Sequence, residues 1–101
     1  MIAQFAVVPI GPGIHMSGRL AKVMRLIDES GLDYRVGPMG TAVEGSWDQV
    51  MKLVKKCHHT LLADTSRVFT YITVDDRKGA KGRLEGKVAS VVRKAGRPLR
   101  T

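Results

Sequence analysis

The residues with the most obvious chemical potential are a thiol and two imidazoles in direct succession, Cys57, His58 and His59. Cysteine and histidine are common zinc ligands, and a thiol paired with an imidazole is also the arrangement of a cysteine nucleophile and its base. Neighbouring residues on a helix point about 100° apart, however, so these three side chains cannot converge on one ion. The remaining histidine, His15, adds no zinc-type spacing. We therefore interpret Cys57 as a small core thiol, and we predict neither an enzyme active site nor a metal site.

A glycine-rich segment, Gly11-Pro12-Gly13, follows the first apolar run. If a helix starts after it, the free N–H groups at the helix N-terminus could attract an anion. The segment matches neither the Walker pattern nor the dinucleotide-binding pattern of glycines. Anion binding and simple turn chemistry therefore both remain open.

Glu44 is the single acid between Asp33 and Asp48, and it ends a short β-like run beside Gly45. A carboxylate at the end of a strand is either solvated or has a partner, so it is a candidate for binding. Trp47, the sole tryptophan, follows closely. It is either an anchor in the core, which is the default, or a platform for a cationic ring.

Breakers and hydrophobic periodicity predict the elements of the first half of the chain. Residues 2–9 form a β-prone run that ends at a cluster of prolines and glycines. A helix then follows, with Ser17 as its cap and Gly31 just beyond its end. Residues 33–36 and 41–45 are predicted as adjacent antiparallel strands around the turn Gly37-Pro38-Met39-Gly40.

The second half predicts two helices and one strand. Ser46 and Gln49 form a capping box before a clear helical repeat of apolar residues. Residues 67–76 read as a long strand, and a third amphipathic helix begins near Leu84 and ends before Gly96 despite the internal Gly86. The order is a ferredoxin-like βαββαβ plait, of class α+β with an antiparallel sheet, and an extra C-terminal helix.

Both faces of the strand at residues 67–76 are largely uncharged, with Phe69 and Tyr71 on the face turned away from the helices. A sheet covered by helices on one side should be polar on the other. We therefore expect the second face to be covered by another copy, in a dimer or tetramer.

Length and composition agree with one compact domain. The chain has 101 residues, 44% of them apolar, and we place the domain at residues 1–96 with a basic tail at 97–101. The lone cysteine excludes an internal disulfide. No apolar stretch is long enough to span a bilayer, and no basic leader precedes the first one, so we expect a soluble, cytoplasmic protein without membrane contact.

The positive charge is confined to the C-terminal part of the chain. Residues 1–76 hold eight basic and eight acidic residues, whereas residues 77–101 hold nine basic residues and Glu85 alone, which accounts for the net charge of +8. Clustered cations favour a polyanion, but this segment has no aromatic residue to stack on bases. The alternative function is therefore an oligomeric structural or regulatory protein that contacts nucleic acid or another polyanion through this segment. We favour a solvated helix face with a frayed tail, and we expect no nucleic-acid partner.

Several motifs together resemble the family of small thiamine-binding proteins. They are Val8-Pro9-Ile10-Gly11, Glu29-Ser30-Gly31-Leu32, the central Met39-Gly40-Thr41-Ala42-Val43-Glu44-Gly45 and Asp75-Asp76-Arg77. The resemblance runs from Ile2 to about Ala95 and implies a non-enzymatic, oligomeric subunit that requires no cofactor. Its implied ligand is thiamine or a related hydroxymethylpyrimidine.

The resemblance also implies a binding site. By position it would use the side chains of Ser17, Thr41 and Glu44, with the backbone of Gly11 and Met39 as walls. Residues 14–16 depart from the small polar residues expected before Ser17. Positions 41 and 44 have opposite parity on a strand, so their side chains point to opposite faces unless the strand bends. We therefore expect the site to straddle two subunits.

Overall fold

The computed structural model describes residues 1–11 and 16–101. The elements are β1 (Ile2–Pro9), α1 (Met16–Glu29), β2 (Asp33–Gly37), β3 (Gly40–Glu44), α2 (Trp47–Leu62), β4 (Val68–Asp75) and α3 (Arg83–Ala95). The strands form one antiparallel sheet in the order β2-β3-β1-β4. This confirms the ferredoxin-like plait with an additional C-terminal helix.

Alternation along the strands separates the two faces of the sheet. Ala3, Phe5 and Val7 of β1 are buried, and so is Val43 of β3. They form the core with apolar residues of α1 and α2, which lie over this face, hereafter the helix face. Ala3 pairs with Val43 on one side and Val74 on the other, so the register places apolar side chains of three strands together.

Local capping fixes the ends of the first two helices. Ser46 caps α2, and its hydroxyl accepts the N–H of Gln49 while the Gln49 amide accepts the N–H of Ser46, as the capping box predicts. Gly31 has the positive φ of +79° that ends α1. Ser17, predicted as the cap of α1, is instead its second residue, because the helix already includes Met16.

A tight turn joins β2 and β3. Gly37 pairs with Gly40 across the ladder, so Pro38 and Met39 form its tip. A Cβ at Gly37 would lie 3.0 Å from the carbonyl oxygen of Gly40. The close approach of the two strands therefore favours glycine, and the predicted hairpin is confirmed.

The C-terminal helix lies on the other face of the sheet, hereafter the second face. Its first turn contacts Glu44 of β3, and further along Lys87 pairs with Asp75 of β4 at 2.7 Å. Glu44 follows the buried Val43 and Asp75 follows the half-buried Val74, and both valines pack into the core, so the two acids point away from α1 and α2. Leu84 is the buried residue of α3. The helix thus covers one end of the second face.

Trp47 does not lie in the core, contrary to the default prediction. It is the first residue of α2 and its side chain is 56% exposed. The core beneath α2 is filled by aliphatic residues about one and two turns further along the helix, such as Val50 and Val54. In the described part of the chain, no helix is long and apolar enough to cross a membrane.

Candidate functional site

An apolar cavity lies between α1 and the β1-β3-β2 side of the sheet. It measures about 370 Å³ and extends to the turn between β2 and β3. Strand β1 contributes Phe5, helix α1 contributes Leu20 and Met24, and the β2-β3 hairpin contributes Met39 and Thr41. The cavity exists because α1 packs on the sheet through Val23 and Ile27, which leaves space between the helix and the hairpin.

Thr41 supplies the hydroxyl of this cavity. It is buried, with 7% of its surface exposed, and its hydroxyl lies 3.8 Å from the Met24 sulfur. A thioether is only a weak acceptor. The hydroxyl can therefore exchange this contact for a stronger one with a ligand at little cost. Among the residues that the structure describes, none that lines the cavity is ionisable.

Met39 lies at the mouth of the cavity. Its side chain is 85% exposed because it occupies the tip of the hairpin turn. Methionine is flexible and makes favourable contacts with aromatic rings. The structure thus brings two predicted site residues, Thr41 and Met39, together around one cavity.

The other predicted site residues do not line this cavity. Gly11 follows β1 and Ser17 lies in the first turn of α1, and both are exposed. Residues 12–15, which include most of the predicted glycine-rich segment and two of the three atypical positions before Ser17, lie outside the described residues. The roles predicted for Gly11 and Ser17 stay predictions.

Glu44 lies on the second face and accepts hydrogen bonds from the first turn of α3. Its carboxylate accepts the backbone N–H of Arg83 at 2.8 Å and that of Leu84 at 3.3 Å. Gly82, the N-cap residue of α3, has no side chain to do this. Thr41 and Glu44 therefore face opposite sides of the sheet, as their parity predicts, and the strand does not bend to unite them.

The thiol and the imidazoles are placed separately. Cys57 is fully buried, and burial raises the pKa of its thiol to about 11, so it is neutral and unreactive at pH 7. The Nδ1 atom of His58 lies 2.6 Å from the Thr70 hydroxyl on β4. Cys57 is thus the core thiol that the apolar stripe predicts.

Sequence reasoning missed two residues that shape the cavity, Phe5 and Met24. Both lie on apolar stripes, which predict only that they face the interior. Whether an interior residue meets another side chain or an empty space depends on how α1 sits over the hairpin. No local pattern carries that information.

Comparison with known proteins identifies the family. A family model described as thiamine-binding protein matches residues 3–92. The chain belongs to this thiamine-binding protein family.

Relatives and solved structures of this family cover nearly the whole chain. A UPF0045 protein of Mycobacterium bovis is 32% identical over 97% of each chain. A hypothetical protein of Methanocaldococcus jannaschii is 29% identical over 90% of this chain and 91% of its own; its crystal structure superimposes with a TM-score of 0.81 over 89% and 93% of the two chains. The UPF0045 relatives are uncharacterised.

A third similar protein has a provisional pathway assignment of its own. It comes from Thermotoga maritima, is provisionally assigned to thiamine biosynthesis or salvage, and is 26% identical with a TM-score of 0.78 over 89% of this chain and 96% of that one. Together with the family model, this likeness supports a role in binding a small molecule.

Proposed function

We propose that this member of the thiamine-binding protein family is a non-enzymatic protein that binds thiamine or a related hydroxymethylpyrimidine, with the pyrimidine ring in the apolar cavity. The cavity itself is the observation that carries the proposal. Its volume of about 370 Å³ falls within the usual size of small-molecule sites, and a mostly apolar lining with few polar groups is typical of them.

The lining suits a flat, neutral heterocycle. Phe5 and Leu20 offer apolar surface, and the Met24 sulfur can contact the ring edge. The Thr41 hydroxyl can donate one hydrogen bond and accept another, which matches the alternating donors and acceptors of an aminopyrimidine.

The positive charge of thiamine needs a different environment. Because no ionisable side chain of the described ranges 1–11 and 16–101 lines the cavity, the thiazolium ring would extend past Met39 towards solvent. The Glu44 carboxylate of the same subunit cannot reach it from the second face. The prediction that Glu44 recognises this charge therefore requires a second copy whose Glu44 approaches the mouth of the cavity.

Self-association belongs to the same proposal. Phe69 and Tyr71 lie on the second face and are 39% and 59% exposed. Their rings are in edge contact at 6.2 Å, and the Arg67 guanidinium lies 4.7 Å above the Phe69 ring. This exposed aromatic pair, and the exposed Val88 and Val91 of α3, support a surface that pairs with another copy.

Calorimetric titration with hydroxymethylpyrimidine and with thiamine tests the binding proposal. Thr41→Val removes the hydroxyl and keeps the shape, so it should weaken hydroxymethylpyrimidine binding roughly 2- to 12-fold, the range for one neutral hydrogen bond. Thr73→Val makes the same chemical change on the second face and should leave the affinity unchanged. No binding to the wild type, or equal losses in both variants, would contradict the proposal.

A parallel titration with DNA addresses the alternative function. Binding through the basic segment would weaken steeply with salt and would be indifferent to Thr41→Val. Saturable pyrimidine binding with no DNA binding favours the proposal over a polyanion-binding protein.

A further inference from the structure

A second, smaller cleft lies at the opposite end of the sheet from the apolar cavity. It measures about 140 Å³ and is lined by Met1 and Ile2 together with Asp75, Arg77, Arg83 and Lys87. We call it the basic cleft. Three cations face one carboxylate there, so the lining carries a formal excess of two positive charges.

The cations are held by two different elements. Arg83 and Lys87 are one turn apart on α3 and therefore lie on the same side of the helix. Arg77 lies in a turn closed by a hydrogen bond from the Ala80 N–H to its carbonyl oxygen at 3.1 Å, and Gly79 provides the positive φ of +74° inside that turn. Helix α3 thus forms one side of the cleft, and the turn at residues 77–80 forms the other.

The backbone of Arg83 is held in place, and its side chain lies beside its own helix. Its backbone N–H donates to Glu44, which holds the first turn of α3 against the sheet. Its Nη1 atom lies 3.5 Å from the position that a Cβ of residue 86 would occupy. The guanidinium therefore lies close to Gly86, about one turn further along α3.

The charges within the cleft are not balanced. Lys87 pairs with Asp75 at 2.7 Å, whereas Arg77 and Arg83 form no ion pair with any residue in the described part of the chain. Glu85 is paired with Arg35 and does not line the cleft. The pKa of Asp75 is held below its usual value, first by its hydrogen bond and charge contact with Lys87 and then by the charges of Arg83 and Arg77. All three cations are therefore close enough to Asp75 to stabilise a negative charge in the cleft.

We propose that the basic cleft binds a phosphate or diphosphate group, either free or carried by a small molecule. Guanidinium groups present paired N–H donors that match phosphoryl oxygens, and an ammonium adds a further donor. The volume suits one or two phosphoryl groups rather than a larger ring system.

The basic cleft is separate from the apolar cavity. Ile2 lines the cleft, and Phe5 is the nearest residue of β1 that lines the cavity. Three residues of extended strand separate them by about 10 Å, and their side chains point to opposite faces of the sheet. Phosphate binding at the cleft can therefore succeed or fail independently of pyrimidine binding in the cavity of the same subunit.

Titration of the full chain with inorganic phosphate and pyrophosphate, followed by calorimetry and ³¹P NMR, tests the proposal. The wild type should bind pyrophosphate saturably at one site per subunit. Arg83→Gln and Arg77→Gln should each weaken this binding about tenfold or more, as expected for the loss of a charged hydrogen bond. Neither change touches the backbone bond to Glu44, and unchanged melting curves will verify that both variants fold.

Arg93→Gln is the matched control, because it removes the same charge from the other end of α3. It should change the affinity less than about twofold, since screening at 0.15 M salt weakens charges beyond about 8 Å. Thr41→Val removes no charge and lies in the apolar cavity, so it should also change the pyrophosphate affinity less than about twofold. An equal loss in Arg93→Gln would identify general surface attraction and overturn the proposal, as would the absence of pyrophosphate binding at millimolar concentration.

Two further ligands distinguish the sources of the phosphoryl group. Methyl phosphate that matches or exceeds inorganic phosphate in affinity indicates a phosphate ester, and weaker methyl phosphate binding indicates a free anion. A short DNA duplex that displaces pyrophosphate and binds more tightly would contradict a small-molecule site.

Discussion

Glu44 connects strand β3 to the start of helix α3, which is distant in the chain. Its carboxylate accepts two backbone N–H groups at the start of α3, about 40 positions further on. The first N–H groups of a helix have no partner within the helix, and the partial positive charge there favours a carboxylate. Glu44 is therefore a long-range cap that attaches α3 to the sheet.

Replacing Glu44 should destabilise the protein. Glu44→Ala removes both acceptors and should lower the free energy of unfolding by about 0.5–2 kcal/mol, the usual cost of losing a cap. Glu44→Gln keeps one acceptor oxygen and should lower it less. Urea unfolding followed by circular dichroism measures both values.

Asp76→Ala is a suitable control, because it removes an exposed carboxylate with no side-chain hydrogen bond among the described residues. If Glu44→Ala is as stable as this control, Glu44 does not hold α3. If Glu44→Gln weakens thiamine binding while its stability is unchanged, Glu44 recognises the ligand charge and the cap is secondary.

At the scale of elements, α3 differs from the other two helices. Helices α1 and α2 each bury a stripe of residues on the helix face, whereas α3 buries Leu84 and leaves Val88 and Val91 exposed. The attachment of α3 therefore depends on polar contacts at its start and on the conformations of its glycines.

Two glycines of this region should respond in opposite directions to alanine. Gly86 lies inside α3, and a Cβ there would meet Arg83 Nη1 at an ordinary 3.5 Å. Gly86→Ala should therefore raise the free energy of unfolding by about 0.5–1 kcal/mol. Gly82 has a φ of +64° and open space around it, so Gly82→Ala should lower it by about 1–2 kcal/mol through backbone strain alone.

The same unfolding measurements test this pair. If both variants change in the same direction, the backbone conformation assigned to α3 and its cap is wrong.

Local signals explain which elements could be predicted. The capping box at Ser46, the alternation in β1 and the paired glycines of the hairpin are all readable within a few residues. The second-face position of α3 depends on Glu44, which is far away in sequence, so its periodicity predicted the helix but not its location. For the same reason the resemblance implies Thr41 and Met39 as site residues, whereas the cavity that they line was not predictable from the sequence.

At the scale of the whole molecule, the subunit is elongated. It measures 46 × 29 × 20 Å, and its radius of gyration of 15.1 Å exceeds the roughly 13 Å of a compact chain of 100 residues. A single subunit thus leaves the aromatic pair on the second face and the valines of α3 in solvent. Both surfaces belong to the proposed self-association.

Tyr71→Asp should therefore reduce the assembly to smaller species, because a buried, unpaired carboxylate is unfavourable at an apolar interface. Light scattering coupled to size exclusion measures the mass. Leu62→Asp removes an exposed apolar side chain from the end of α2 and should leave the mass unchanged. A wild type that is monomeric at micromolar concentration would contradict the proposed self-association.

The most direct test of the binding proposal is to observe the methionine methyl groups during a titration with hydroxymethylpyrimidine. With ¹³C-labelled methionine methyls, the signals of Met24 and Met39 should shift saturably and show intermolecular NOEs to the ring, because both side chains line the apolar cavity. Met1, which lines the basic cleft, and Met51 on α2 should not shift. Shifts confined to Met1 or Met51, or no shift at saturating ligand, would contradict a pyrimidine site in this cavity.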